Sequence, residues 1–276
     1  MQIDATDYRP TQILPASALG HGGVYCQRLA PSPSLQPYVV SYWHMASRTR
    51  LPAPLDHRIL PDGCVDIVFD LAASSPAQAA VVAGITARPF SVPLGGKVDY
   101  LGVCLRPGAF SRLFGVAGSE LTDRIVPLAE FASVFAPSSV EAVCSCGNTG
   151  ERVGLLEGVL LRQLANDRRE DRRLTAALAA VVQAAGAVSV EDLARRVYTS
   201  PRNLTRLFDR CVGLAPKVFC RIVRFQKVVR KLKDRSFHNQ LSLALGAGYY
   251  DQAHLIHEFH TLAGLSPTAL VQRSAG

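Results

Sequence analysis

The 276-residue sequence predicts an α+β protein: a β-rich N-terminal domain, open or barrel-like (cupin-like if closed), followed by an all-helical C-terminal domain. Three observations carry this. The first half is punctuated by Pro and Gly and holds short runs rich in Val, Tyr, Phe and Ile. From Glu151 onward the apolar residues recur at the helical period. Finally, a thirteen-residue phrase occurs twice, LTRLFDRCVGLAP from Leu204 and LIHEFHTLAGLSP from Leu255, at a constant offset of 51. Leu204 matches Leu255, Phe208 matches Phe259, Gly213 matches Gly264, and Pro216 matches Pro267.

Composition bounds the rest. At 48% hydrophobic and 19% charged residues, the chain has enough apolar surface to fold, which argues against disorder. No apolar run approaches the ~20 residues of a membrane span. The N-terminus, MQIDATDYRP, lacks the basic-then-apolar order of a signal peptide. Seven cysteines, with a CSC at 144–146 and no second pair at zinc-finger spacing, read as free thiols of a reducing cytoplasm. The net charge of +8 is unevenly placed: residues 1–150 carry 10 Lys/Arg and 11 Asp/Glu, and residues 151–276 carry 20 and 11. All of the excess lies in the half with the repeat, so the natural partner is a polyanion, most simply double-stranded DNA.

Taken in order, Val39–Met45, Val65–Leu71, Ala79–Ile85 and Val98–Leu105 read as strands, with turns at Pro61-Asp62-Gly63 and Gly95-Gly96. Helical patches follow near Pro107–Phe114 and Leu128–Phe135, and Ala136–Gly150 reads as a loop. These give a sensing or assembly domain over 1–150. Residues 151–185 form a helical linker, with Val153, Leu156, Leu160 and Leu164 as an apolar stripe that could carry a dimer contact. Residues 186–276 form the repeat domain.

Ser200-Pro201 is a strong helix start, because serine can cap free amides and proline at the first position loses no hydrogen bond. Leu204, Leu207, Phe208, Cys211 and Val212 then make one apolar face, Arg202, Thr205, Arg206 and Asp209 look outward, and Gly213 stops the helix. Upstream, Ser189 and Asp192 suggest a capping box before a short helix with Val190, Leu193, Ala194 and Val197 inside. Two short helices about a tight turn make a helix-turn-helix unit, whose second helix reads the major groove. The second copy uses Leu241–Gly246 as support and Asp251 as cap. Its core face is Leu255, Phe259, Leu262 and Ala263, and Gln252, Ala253, Ile256, His257 and His260 face out. Between the copies, Lys217–Arg235 reads as a long basic helix whose apolar stripe is interrupted by Gln226. Two such units on one chain can reach successive major-groove segments about 34 Å apart without a dimer.

These residues resemble the AraC-type (AraC/XylS) transcription regulators over about 187–273, through LARRVYTSPRNLTRLFDRCVGLAPKVFCRIVRFQKVV and AGYYDQAHLIHEFHTLAGLSP. The resemblance implies promoter binding through two helix-turn-helix units. It places base contacts on Arg202, Thr205, Arg206, Gln252, Ala253, Ile256 and His257. Asn203 is expected to join them at the DNA, and Ser200, Arg221, Arg224 and Lys227 are expected at phosphates, the alternative for the last three being that they only solubilise the helix. His257 and His260 stand where Arg or Lys is common, which lowers phosphate attraction in the second unit. YW at 42–43, HRILPDGCVDIVFD at 57–70 and SELTDRIVPL at 119–128 resemble an uncharacterised N-terminal domain that accompanies some of these regulators. The partners so implied are promoter DNA, a small-molecule effector of unknown identity, a second copy of the chain, and RNA polymerase if the protein activates.

Competing chemistry is weaker. His57, Asp62, Cys64 and Asp66 are close enough to suggest a metal site or a Cys-His nucleophile, but Asp62-Gly63 reads as a turn with a buried cysteine after it. Trp43 and Cys104 read as core. No P-loop, G-x-S-x-G, H-E-x-x-H or methyl-acceptor Pro-Cys-His-Arg phrase occurs. The expectation is a regulator with no catalytic residue, cofactor or metal. The alternative is an enzyme acting on a small molecule or DNA, with the helical part delivering it.

Overall fold

The computed structural model of the chain describes residues 7–14, 23–75, 79–166, 171–234, 236 and 240–275. Among the described residues, eight strands form its N-terminal half: β1 Val24–Leu29, β2 Val39–Ser47, β3 Leu55–Ile59, β4 Val65–Asp70, β5 Ala80–Ala83, β6 Phe90–Leu94, β7 Asp99–Leu105 and β8 Ile125–Pro127. Six of them make an antiparallel sheet in the order β1-β2-β7-β4-β5-β8, and β3 pairs with β6 as a separate two-stranded sheet. The expected β-rich domain is present, but the sheet is open, with β1 and β8 at its edges, rather than closed into a barrel or cupin.

The four expected strands appear within about two residues of their positions. The missed ones carry weak signals: β3 has one buried residue in five, and β6 alternates Phe90, Val92 and Leu94 with Ser91 and Pro93 but spans only five residues. β1 is an edge strand with one buried residue in six, β8 is three residues long, and β6 contains Pro93, which only an edge tolerates because proline donates no ladder bond. The loop expected over Ala136–Gly150 is instead helix α2, Pro137–Ser145, with proline at its first turn. It is followed by the start of α3, Thr149–Ala165, capped by Asn148 Oδ1, which accepts from Glu151 N at 2.9 Å. Conversely, Leu128–Phe135 yields only a short 3-10 turn, Leu128–Phe131. The first α-helix among the described residues, α1, is Ala109–Phe114.

Helices α4 Arg172–Gln183, α5 Val190–Arg196, α6 Pro201–Val212, α7 Pro216–Lys233, α8 Gln240–Gly246, α9 Gln252–Ala263 and α10 Pro267–Ala275 complete the chain. Arg235, expected at the end of the basic helix, lies outside the described residues. The stripe on α3 is used within the chain: Leu156, Val159 and Leu160 are buried, while Leu155 and Leu161 remain exposed.

One continuous core runs through both halves, from Tyr42, Ile67 and Phe69 of the sheet to Phe208, Phe225 and Phe259 of the C-terminal helices. The seam explains the interruption at Gln226. That side chain is 1% exposed; its Oε1 accepts from Thr11 N at 2.7 Å and its Nε2 donates to Pro61 O at 2.8 Å. A buried amide needs such partners, and here they tie the basic helix to the β-rich half. Beside it, Phe219 stacks edge-on to Tyr8 with centroids 6.3 Å apart. Gly63, at φ +75°, has no Cβ because one there would stand 2.8 Å from the Phe219 ring. The end of α6 also meets the N-terminal half: Thr122 Oγ1 donates to Gly213 O at 2.8 Å, and the backbones of Gly118 and Gly213 approach so closely that neither has room for a side chain.

Candidate nucleic-acid interface

Each unit is set by its caps. Ser189 Oγ accepts from Asp192 N at 3.0 Å and opens α5. Ser200 Oγ accepts from Asn203 N at 3.2 Å and opens α6 behind Pro201, and Gly213, at φ +81°, ends it. In the second unit Asp251 Oδ1 accepts from His254 N at 2.7 Å, and Gly264, at φ +66°, closes α9. Free helical amides are satisfied in this way by short polar side chains, and glycine provides the left-handed stop. The units are not identical. Leu193, Ala194 and Val197 of the first correspond to Leu243, Ala244 and Ala247 of the second, one residue short of the offset that relates Ser200 to Asp251. The extra residue sits in the second turn, where Tyr249 tucks into the core at 3% exposure and Tyr250 projects at 87%. In the first turn Tyr198 takes φ +53° and projects at 91%.

The faces fall where the period places them. On α6, Leu204, Leu207, Phe208 and Val212 are buried, and Arg202, Asn203, Thr205 and Arg206 are exposed. Among the described residues Arg202 and Arg206 make no ion pair. The Thr205 hydroxyl donates back to Pro201 O at 2.9 Å. On α9, Gln252, Ala253 and His257 are exposed and Ile256 is half-buried.

The cations of α7 are placed differently. Arg221 grips Glu258 of α9 with two hydrogen bonds of 2.9 Å, from Nε and Nη2. Arg224 Nη2 donates to Gly186 O at 2.9 Å, and its guanidinium lies 5.6 Å from the Tyr249 ring centre. Lys227 Nζ donates to Gly246 O at 2.9 Å, at the end of α8. Of the three residues expected at phosphates, Arg221 and Lys227 thus hold the second unit onto α7 with the donors named, and Arg224 bonds the loop before α5 while lying against Tyr249 of the second unit. Glu258, the acid that makes this joint, is 8% exposed and was not singled out in the sequence. Its only sequence signal is a carboxylate beside Phe259 on an otherwise apolar face.

These two capped, outward-facing helices match known proteins. The profile of a helix-turn-helix domain matches residues 193–273, which enclose both copies of the repeat. The C-terminal region is an AraC-type helix-turn-helix domain. Ahead of the AraC-type domain, residues 27–127 match a domain of unknown function, DUF6597, which covers the sheet from β1 to β8. An uncharacterised HTH-type transcriptional regulator of Haemophilus influenzae is 34% identical over 100 residues, 36% of this chain and 33% of that protein. The match therefore spans about a third of that relative's length. Two solved structures of ToxT from Vibrio cholerae align over 85% and 92% of this chain and 98% of theirs, at 10% and 8% identity and a TM-score of 0.42 in both. At that level the likeness assigns nothing further to the AraC-type domain or to the sheet.

The other sequence candidates lie in the β-rich half. The Asp62 turn is as expected: Cys64 N donates to Asp62 Oδ1 at 2.9 Å, and Cys64 and Cys104 are both buried free thiols. His57, Asp62, Cys64 and Asp66 nevertheless line one cavity, together with Trp43, which is therefore only partly core. Burial and the neighbouring Asp62 carboxylate hold Asp66 well above the ordinary carboxylate range, while burial pushes His57 down to about 4. A carboxyl with a raised folded pKa favours the folded state while protonated. That contribution is complete below the unfolded value and is lost as pH rises through the folded one. Asp66→Asn keeps an acceptor for Trp43 Nε1, so its melting temperature relative to the native chain is expected to rise progressively between about pH 4 and about pH 7 and to level off above that. A margin independent of pH would show that Asp66 ionises as freely as an exposed carboxylate.

Proposed function

We propose that the chain is a sequence-specific DNA-binding transcription regulator that places α6 and α9 in successive major-groove segments of a promoter. The observation that carries this is the pair of capped helices, in one AraC-type domain, that turn polar faces to solvent while their apolar faces are buried. Arg202, Asn203, Thr205 and Arg206 on α6, and Gln252, Ala253, Ile256 and His257 on α9, are the residues offered to base edges. Ser200 at the capped end of α6 is offered to a phosphate, and the exposed Tyr198 and Tyr250 flank the same ends. Phosphate contact by Arg221, Arg224 or Lys227 would have to use donors beyond those already on Glu258, Gly186 and Gly246.

In this reading the division into 1–150, 151–185 and 186–276 separates sensing or assembly, linkage and DNA reading, and the protein acts in the cytoplasm. RNA polymerase is a partner if it activates. A homodimer formed through α3 would use the exposed Leu155 and Leu161, because the expected stripe is occupied within the chain. Among the described residues no helix is long and apolar enough to cross a membrane.

Selection of bound sites from genomic DNA gives the operator, and substitution then tests the reading. Arg206→Ala and Arg202→Ala are each expected to weaken operator binding by about 1–3 kcal/mol and to relax preference at one base pair, the worth of a bidentate base contact. Unchanged affinity and preference in both variants would remove α6 from the groove.

A further inference from the structure

The face of the six-stranded sheet that turns away from the shared core borders a cavity of about 840 Å³. Its floor is built by the period-two alternation of β2 and β4, which brings Ser41, Trp43, Asp66 and Val68 to one side. The Trp43 indole can lie against the sheet because position 102 is glycine: a Cβ there would stand 2.0 Å from the ring. β3 and β6 form the opposite wall with His57, Ile59, Phe90 and Val92. Ile13 and Leu14 also line it, and Lys233 of α7 and Val271 of α10 reach it from the C-terminal half.

The walls are largely apolar, and the polar groups among them are few and directed. Asp66 Oδ1 accepts from Trp43 Nε1 at 2.8 Å. Asp62 Oδ2 accepts from Gln12 Nε2 at 2.9 Å. His57 is 6% exposed and lines the cavity, and its Nδ1 has no hydrogen-bond partner among the described residues. An apolar pocket with a few convergent polar groups is the general form of a small-molecule site. Here they are two half-buried carboxyls, a buried imidazole with an unpartnered nitrogen, and a half-buried indole. The cations that line the cavity, Arg28 and Lys233, are themselves exposed to water. Above about pH 7, where Asp66 ionises, an ammonium head satisfies this set best: it donates to the carboxylate in a charge-assisted bond and is attracted to an indole face. A carboxylate head would then be repelled by that carboxylate.

We propose that this cavity binds a small molecule with an apolar body and one ammonium head, the head held among Asp62, Asp66 and Trp43, and that β3 transmits its occupancy to the second helix-turn-helix unit. The transmission follows from alternation along β3. His57 lines the cavity, and the next residue, Arg58, donates from Nη1 to Ala263 O at 2.7 Å, the last turn of α9. On the other side Asp56 stands 4.0 Å from Arg273 of α10. A ligand that moves His57 therefore moves a strand bonded to the end of a recognition helix. The binding half stands without the regulator reading; the consequence for DNA rests on it.

Trp43 is the only tryptophan in the chain, so its fluorescence reports the cavity directly. At about pH 8, where Asp66 is ionised, octylamine, octanol and octanoate offer one apolar body with three heads. Octylamine is expected to change Trp43 emission saturably and to bind at least about tenfold tighter than octanol, the scale of one charge-assisted contact. Octanoate should bind more weakly than both. Asp66→Asn, which keeps the Trp43 bond, should reduce the amine preference to about twofold or less and leave octanol binding as it was. Equal binding of amine and alcohol, preference for octanoate, or no saturable response to any of the three at millimolar concentration would overturn the assignment. Hydrogen exchange in α9 of the full chain tests transmission without DNA. Octylamine should change it in the native chain but not in Arg58→Ala, although Arg58→Ala keeps the Trp43 response. A saturated Trp43 response with unchanged α9 exchange would overturn the transmission. Failure to find any bound operator would count against the regulator reading alone.

Discussion

Phe208→Ala and Phe259→Ala are each expected to cost about 3–5 kcal/mol of folding stability, enough to unfold much of the chain at physiological temperature. Both rings are fully buried. Their surroundings differ, and so should the consequences. Phe259 packs on Phe225 of α7, with ring centres 4.8 Å apart, so its removal opens a void between α7 and α9. Phe208 packs on Phe219 at 6.0 Å, and Phe219 in turn meets Tyr8 and the Gly63 turn. Its loss should therefore also loosen the seam between the two halves. Denaturant unfolding monitored at Trp43 and by far-ultraviolet circular dichroism reads both. The two probes should stay coincident for the native chain, because one core serves both halves, and should separate in Phe208→Ala. A native midpoint for either variant would mean that the ring faces solvent.

Arg221→Ala should be the next most damaging. It leaves Glu258 nearly buried with its charge uncompensated. Breaking a buried pair costs about 3–5 kcal/mol; with the Arg221 side chain 34% exposed, about 2–3 kcal/mol is the appropriate expectation. Glu258→Ala should cost less, because the freed guanidinium can turn to water. The double variant should recover part of the loss, which a two-residue cycle measures. The same variant separates bracing from DNA contact. If Arg221 only braces α9, the salt dependence of DNA affinity keeps its slope; if it also neutralises a phosphate, the slope falls by about 0.9. Equal stability of Arg221→Ala and Glu258→Ala would contradict the asymmetry in their burial.

The recognition helices were legible because their signals are local. Ser200-Pro201, Asp251 and the two glycine stops fix the ends, and Leu204, Phe208, Leu255 and Phe259 fix the faces, all within one helix each. The seam was not legible. Gln226 finds its partners at Thr11 and Pro61, and no periodicity within α7 indicates them. The charge of α7 was read correctly as a count but not as an arrangement, since the acceptors of Arg221, Arg224 and Lys227 lie on other helices or on a loop carbonyl. In the β-rich half, the turn at Asp62 was visible, yet the cavity was not. It depends on Trp43 crossing over Gly102 and on β3 pairing with β6, contacts between segments far apart in sequence.

The meeting of Gly118 with Gly213 has a geometric consequence when set beside the Arg58 bond to Ala263. The C-terminal end of α6 is pinned to the N-terminal half at one point, and that of α9 at another. In the proposed reading, the β-rich half would act as a jig that holds the angular phase between the two reading heads, a task that α7 alone would otherwise carry. A side chain at either glycine is a wedge in that jig. It would retune which spacing of half-sites fits both heads at once while leaving each head's own base preference intact.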